Sequence, residues 1–195
     1  MQRNTTSRAR LLAAAEQVFY ERGIANTNID AVARAAGVTK PTVYAHFSSK
    51  SALAAGALEA RQQRIAADLA AHLSGEAAGA PRLNALFTWL TSWYGHSGHR
   101  GCAFLNAAAE SAADDVVAAA VRAEKQWLLE LLHDLCEEAG CDSPGELASQ
   151  LLLLIDGVAA RVLVHGPDRA TESTATAARA AAILITAASR NHDQS

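Results

Sequence analysis

The stretch Ile29–Lys50, IDAVARAAGVTKPTVYAHFSSK, limits what this chain can fold into more than any other. Ile29, Val32, Ala33 and Ala36 recur at helical spacing, the pattern of a short helix with one buried face. Asn28 is placed to cap its start. Gly37 follows, and glycine readily takes the left-handed backbone of a tight turn. Thr39 then stands where it would cap a second short helix, with Pro41 in the first turn, where a missing N–H costs nothing. Val43 and Phe47, four residues apart, face inward, which leaves Lys40, Thr42, Tyr44, Ala45 and His46 on other faces. Two short helices joined by a glycine turn have the form of a helix-turn-helix. In that motif the second helix enters the DNA major groove, with short polar side chains near its N-terminus aimed at bases and phosphates.

The rest of the chain reads as further helices. Alanine and leucine are abundant, while valine, isoleucine and aromatics are sparse, which favours an all-α protein. About nine helices are expected. The first spans Ser7–Arg22, closed by Gly23, and a fourth runs from a Ser48 or Ser49 cap to about His72. A fifth carries Leu83, Leu86, Phe87, Leu90 and Trp93, followed by a loop over 94–101. A short sixth spans about Cys102–Ser111 and a long seventh about Asp114–Ala139. The eighth covers about Pro144–Val164, and the ninth about Ser173–Ser189, ahead of a frayed tail at 191–195.

Charge separates the two ends of the sequence. Residues 1–64 hold nine basic and four acidic side chains, a net of +5, and the remainder nets −8. A basic front and an acidic rear imply a polyanionic partner at one end only. Lys50 is a second pointer. The dipole of the fourth helix disfavours a cation in its first turn by about 0.3–1 kcal/mol, and a phosphate there would satisfy both the lysine and the helix N–H groups.

No uninterrupted apolar run reaches the length of a bilayer span. The start, MQRNTTSRAR, precedes no apolar core of a secretory signal. The three cysteines, Cys102, Cys136 and Cys141, do not look like a disulfide scaffold. A cytoplasmic protein with no membrane partner is the expectation.

At Gly23–Leu53, GIANTNIDAVARAAGVTKPTVYAHFSSKSAL, the chain resembles the TetR family of bacterial transcriptional regulators. The elements that carry the resemblance are Ala-Ala-Gly-Val, Thr-Val-Tyr-x-His-Phe and Ser-Lys-Ser-Ala-Leu. The resemblance implies base and phosphate contacts for Thr39, Lys40 and Thr42, and phosphate contacts for Tyr44 and His46. Lys50 matches a lysine that opens the fourth helix on the DNA backbone. Asn28 stands where many members carry a capping threonine set against a phosphate. Ala45 is small where many members carry a long polar side chain, which leaves the operator sequence open.

The resemblance also implies a helix-turn-helix DNA-binding domain over residues 1–50 and a helical ligand-binding and dimerisation domain over 51–195. It implies a homodimer formed through the last two helices, a palindromic double-stranded operator and a small, largely apolar effector. Phe87, Leu90, Trp93, Phe104, Trp127 and Leu131 are candidate pocket residues, and the same side chains would also suit a filled core. Leu147, Leu151, Leu154, Ile155, Val158 and Val162 place apolar residues on more than one face of the eighth helix, as an interface requires. The expected activity is a repressor released from DNA by its effector, with the fourth helix as lever. An alternative is a redox- or electrophile-responsive regulator sensing through Cys102, which lies beside Arg100 at a helix start.

No enzyme is expected, because no acid–base or nucleophile–base pair has a recognisable spacing, and no cofactor is expected. The spacing H-x2-H-x2-C at His96, His99 and Cys102 could supply three metal ligands. It lacks an obvious fourth, and Gly98 and Gly101 favour a turn, so no metal site is expected.

Overall fold

The computed structural model describes residues 6–111 and 113–190. The tail at 191–195, read above as frayed, lies outside them. Among the described residues the chain is all-α with no strand. Its helices are α1 Ser7–Arg22, α2 Ile29–Ala36, α3 Lys40–His46, α4 Lys50–Leu73, α5 Ala80–His96, α6 Ala103–Glu110, α7 Asp115–Glu138, α8 Pro144–His165 and α9 Ala170–Arg190. A single 3-10 turn, Pro167–Arg169, precedes α9.

The described chain forms two compact units. One runs to Ile65 and includes Ala103–Glu124; the other comprises Ala66–Cys102 and the chain from Lys125 onward. Each unit is therefore discontinuous in sequence, and α4 and α7 contribute to both.

In the first unit, short-range capping sets where the helices begin and end. Thr6 accepts from the Ala9 N–H at 3.3 Å to start α1. Asn28 Oδ1 accepts from Ala31 N at 2.9 Å to start α2, and Thr39 Oγ1 accepts from Thr42 N at 3.4 Å to start α3. Ser49 Oγ accepts from Ala52 N at 3.0 Å at the start of α4. Each cap is worth about 1 kcal/mol. Leu11, Ala15, Phe19, Val32, Val43, Phe47 and Leu53 are buried and form the core beneath these helices.

Gly37 ends α2 in the left-handed region at φ 65° and ψ 38°, with its N–H on the Ala33 and Arg34 carbonyls. An added Cβ would meet nothing within 4 Å. Gly37→Ala therefore meets only backbone strain and should cost about 1–2 kcal/mol in a urea titration. Gly37→Asn, which tolerates that backbone better, should cost less.

In the second unit α9 packs against both α5 and α8. Phe87, Leu83, Leu86, Leu132, Leu151, Val162 and Ala181 are buried there. Two boundaries differ from the sequence reading. α5 continues through His96 into the expected loop, because Tyr94 is buried at 4% exposure and holds that turn in the core. α9 begins at Ala170, three residues before the expected Ser173 start. Ser173 is instead buried within the helix and accepts from Arg161 Nε at 3.1 Å.

Among the described residues α8 alone is long and apolar enough by composition to cross a bilayer, with a mean hydropathy of 1.8. It also carries Asp156 and Arg161, and Asp156 pairs with Lys125 Nζ at 2.5 Å. One face of α8 is buried through Leu147, Leu151, Ile155, Val158 and Val162. The other is exposed.

Candidate nucleic-acid interface

α3 has only seven residues and divides cleanly by face. Val43 is fully buried and Phe47, just past the helix, is nearly so. Lys40, Pro41, Tyr44, Ala45 and His46 are exposed, and Thr42 is half-buried. Tyr44 stands out, an aromatic ring left 48% exposed on so small a helix. A single layer of apolar anchors thus turns a cation, a phenol and an imidazole toward solvent.

The polar groups at the start of α3 are held by local bonds. The Thr39 and Thr42 hydroxyls share a hydrogen bond of 2.9 Å. Lys40 Nζ donates to Asp30 Oδ2 at 3.1 Å, with both side chains about half exposed. Exposed pairs of this kind contribute about 0–1 kcal/mol, so a phosphate can displace Asp30 at little cost. Asn28 is exposed and uses Oδ1 for the α2 cap. The guanidinium of Arg8 lies 5.4 Å from the centre of the Phe47 ring, a cation–π contact tying the first turn of α1 to the end of α3.

Lys50 is placed differently from the other sequence candidates. Its ammonium donates to the carbonyls of Ile24 at 2.9 Å, Thr27 at 3.1 Å and Ala25 at 3.4 Å. These carbonyls belong to the segment between α1 and α2. They also offset the cost of a cation in the first turn of α4.

The residues read as effector contacts are divided between the units. Phe87 and Leu90 are buried, and Trp93, Trp127 and Leu131 are half-buried, all in the second unit; Phe104 is buried in the first. Trp93 stacks on Trp89 with ring centres 5.2 Å apart, and Trp89 Nε1 donates to Asp68 Oδ2 at 2.8 Å. Trp89 reads from sequence as a further candidate pocket residue, but Asp68 does not, because nothing local marks one carboxylate as the partner of an indole 21 residues on.

Cys102 is half-buried, immediately before α6. Burial, and then the neighbouring Cys141, push the Cys136 thiol up to about 12. His96 Nδ1 lies 2.9 Å from Ser92 O in the last turn of α5. Among the described residues, the group whose ligand atoms lie within 4.8 Å of one another is His133, Asp134 and Glu137 on the surface of α7.

This geometry can be set beside known proteins. The family model described as bacterial regulatory proteins, tetR family, matches residues 11–57, which cover α1 to α3 and the start of α4. The HTH-type transcriptional regulator TtgR of Pseudomonas putida is 42% identical over 53 residues, which cover 27% of this chain and 25% of that protein. The HTH-type transcriptional activator FasR of Mycolicibacterium smegmatis is 51% identical over 43 residues, 22% of this chain and 20% of that one. The chain thus spans a quarter or less of the length of these two curated relatives. A solved structure extends the likeness over the whole fold. A TetR-family transcriptional regulator from Streptomyces coelicolor is 31% identical with a TM-score of 0.83, over 94% of this chain and 96% of that one. With the motif matched in its N-terminal helices and a relative of this identity aligned almost end to end, the chain belongs to the TetR family of bacterial regulatory proteins.

Proposed function

We propose that the protein is a transcriptional regulator that holds duplex operator DNA through α3 and acts as a repressor until a small molecule releases it. The observation that carries this reading is the division of α3. Val43 and Phe47 anchor it, while Lys40, Tyr44 and His46 face outward from the basic segment of residues 1–64. In this reading Thr39, Lys40 and Thr42 meet bases and phosphates, Tyr44 and His46 meet phosphates, and Asn28 supports them by capping α2. Residues 1–50 are the DNA-binding region; residues 51–195 serve effector binding and dimerisation.

A palindromic operator calls for a two-fold protein, and α8 and α9 offer the surface. Leu153 and Val164 on α8 and Ile183 on α9 are each at least 70% exposed. Between the first two, the exposed Gly157 and Ala160 complete a stripe at helical spacing, where small side chains permit close approach. A homodimer through these helices covers it.

Phe87, Leu90, Trp93, Trp127 and Leu131 support an effector site in the second unit for a largely apolar ligand. Phe104, in the other unit, is not carried into that site. An effector that favours a state with misplaced recognition helices lowers DNA affinity by the coupling free energy, typically about 1–3 kcal/mol. A regulator acting on chromosomal DNA in this way works in the cytoplasm and needs no catalytic step.

A gel-shift series with duplex fragments from around the protein's own gene tests the reading. Retarded fragments are expected, and a reporter assay then separates repression from activation. Lys40→Ala should weaken binding to all duplex sequences alike and lower the salt slope of affinity by about one. An unchanged slope removes Lys40 from the phosphate contacts.

A further inference from the structure

The corner between α6 and α7 holds both the connection between α1 and α2 and the first turn of α4. Glu110, the last residue of α6, accepts the Ala25 N–H on Oε2 at 3.2 Å. A Cβ built on Gly23 would lie 2.7 Å from Glu110 Oε2 and 2.8 Å from Oε1. Gly23 also has φ 85°, so this carboxylate fills space that only a glycine leaves open. Four residues further on, Asp114 accepts the Ser51 hydroxyl on Oδ2. Its Oδ1 accepts from Val116 N at 3.1 Å and Val117 N at 3.2 Å, which starts α7. The Ser51 hydroxyl first, then the Val117 amide, hold the Asp114 carboxyl below its ordinary range.

Lys50 completes the arrangement. The connection between α1 and α2 is gripped at its carbonyls by Lys50 and at an N–H by Glu110. An ammonium group has three N–H donors and no acceptor. Three carbonyls account for all of them, so Lys50 cannot turn to a phosphate without giving up a bond it already makes. The segment so held runs directly into Asn28, the cap of α2, and α2 carries α3 through the Gly37 turn.

We propose that Lys50 and Glu110 are positioning residues for operator recognition, fixing the α1–α2 connection, and with it the setting of α3, from behind the DNA-binding face. This inference rests on the DNA-binding reading and deepens it. Neither residue touches DNA in this scheme. Their effect reaches α3 through the backbone of residues 24–28.

The test uses the full-length protein and a duplex fragment from upstream of its own gene that the wild type retards. Lys50→Met, Glu110→Ala and Glu110→Gln are titrated across a range of salt, and amide hydrogen exchange is followed at Ala25–Thr27. Lys50→Met and Glu110→Ala should each lose about 2- to 30-fold in affinity, with the salt slope of the wild type and faster exchange at these amides. Glu110→Gln retains an acceptor for the Ala25 N–H and should recover most of the loss. A slope lower by about one in Lys50→Met would mean that this lysine neutralises a phosphate and would overturn its internal role. Unchanged affinity in Glu110→Ala, a variant of an exposed residue, overturns the proposal for the corner. A wild type that binds no duplex overturns the DNA-binding reading and this inference with it; a wild type that binds while the variants match it overturns this inference alone.

Discussion

Leu153→Glu combined with Ile183→Glu should turn the protein into a folded monomer and cut its affinity for a palindromic operator by about 10²- to 10⁴-fold. The fold should survive, because the two side chains are 73% and 70% exposed and hold no core together. Dimerisation should not, because two carboxylates per protomer would have to be buried without partners. Each protomer carries one α3, so a dimer binds its second half-site as an intramolecular event, and a monomer loses that advantage entirely. Analytical ultracentrifugation reads the first effect and a gel shift the second. A variant that stays dimeric would place the interface elsewhere. One that becomes monomeric yet binds as tightly would remove the two-fold operator from the scheme.

Glu16→Ala should lower stability by about 3–5 kcal/mol in urea denaturation, among the largest effects of any single polar substitution here. Glu16 and Arg61 are 12% and 7% exposed at their side chains, and Arg61 Nη1 donates to Glu16 Oε1 at 2.9 Å. Glu16 also takes hydrogen bonds from Arg64, and this contact raises the Arg64 pKa above its ordinary value. Arg61 lies 4.5 Å from the centre of the Tyr20 ring, so its cation is packed as well as paired. Removing the carboxylate leaves that charge buried without this partner, and the desolvation cost is no longer offset. Glu16→Leu with Arg61→Met should recover most of the loss, since apolar replacement of a whole buried pair is close to neutral. If Glu16→Ala alone costs under 1 kcal/mol, the pair is solvated in solution and contributes like a surface bridge.

Local chemistry made much of this fold readable from sequence. The bounds of α1 follow from apolar spacing and Gly23; those of α2 and α3 follow from Asn28, Gly37, Thr39 and Pro41. These signals act over three or four residues, and so does the eye reading a sequence. The two misplaced boundaries, at the end of α5 and the start of α9, lie where burial of Tyr94 and of Ser173 outweighs local turn signals. The exposed polar face of α3 was legible for the same reason as its helix.

The corner at Glu110 and Asp114 was not legible. Glu110 reaches Ala25 across 85 residues and Asp114 reaches Ser51 across 63, and no periodicity connects such positions. The pairing of residues up to 65 with 103–124 in one compact unit was hidden in the same way. For Lys50 the sequence located the side chain correctly at the start of α4 but could not tell where it pointed. Three nearby carbonyls decide that, and they become visible only once α1 and α2 are folded together.

The most direct measurement is the binding of purified protein to labelled duplex fragments from its own gene and its neighbours, titrated over salt. At least one fragment should bind with affinity falling steeply and linearly in log–log form as salt rises, and Lys40→Ala should weaken it. Failure to bind any duplex even at low salt, in protein that is folded and free of effector, would contradict a role for α3 in gripping DNA.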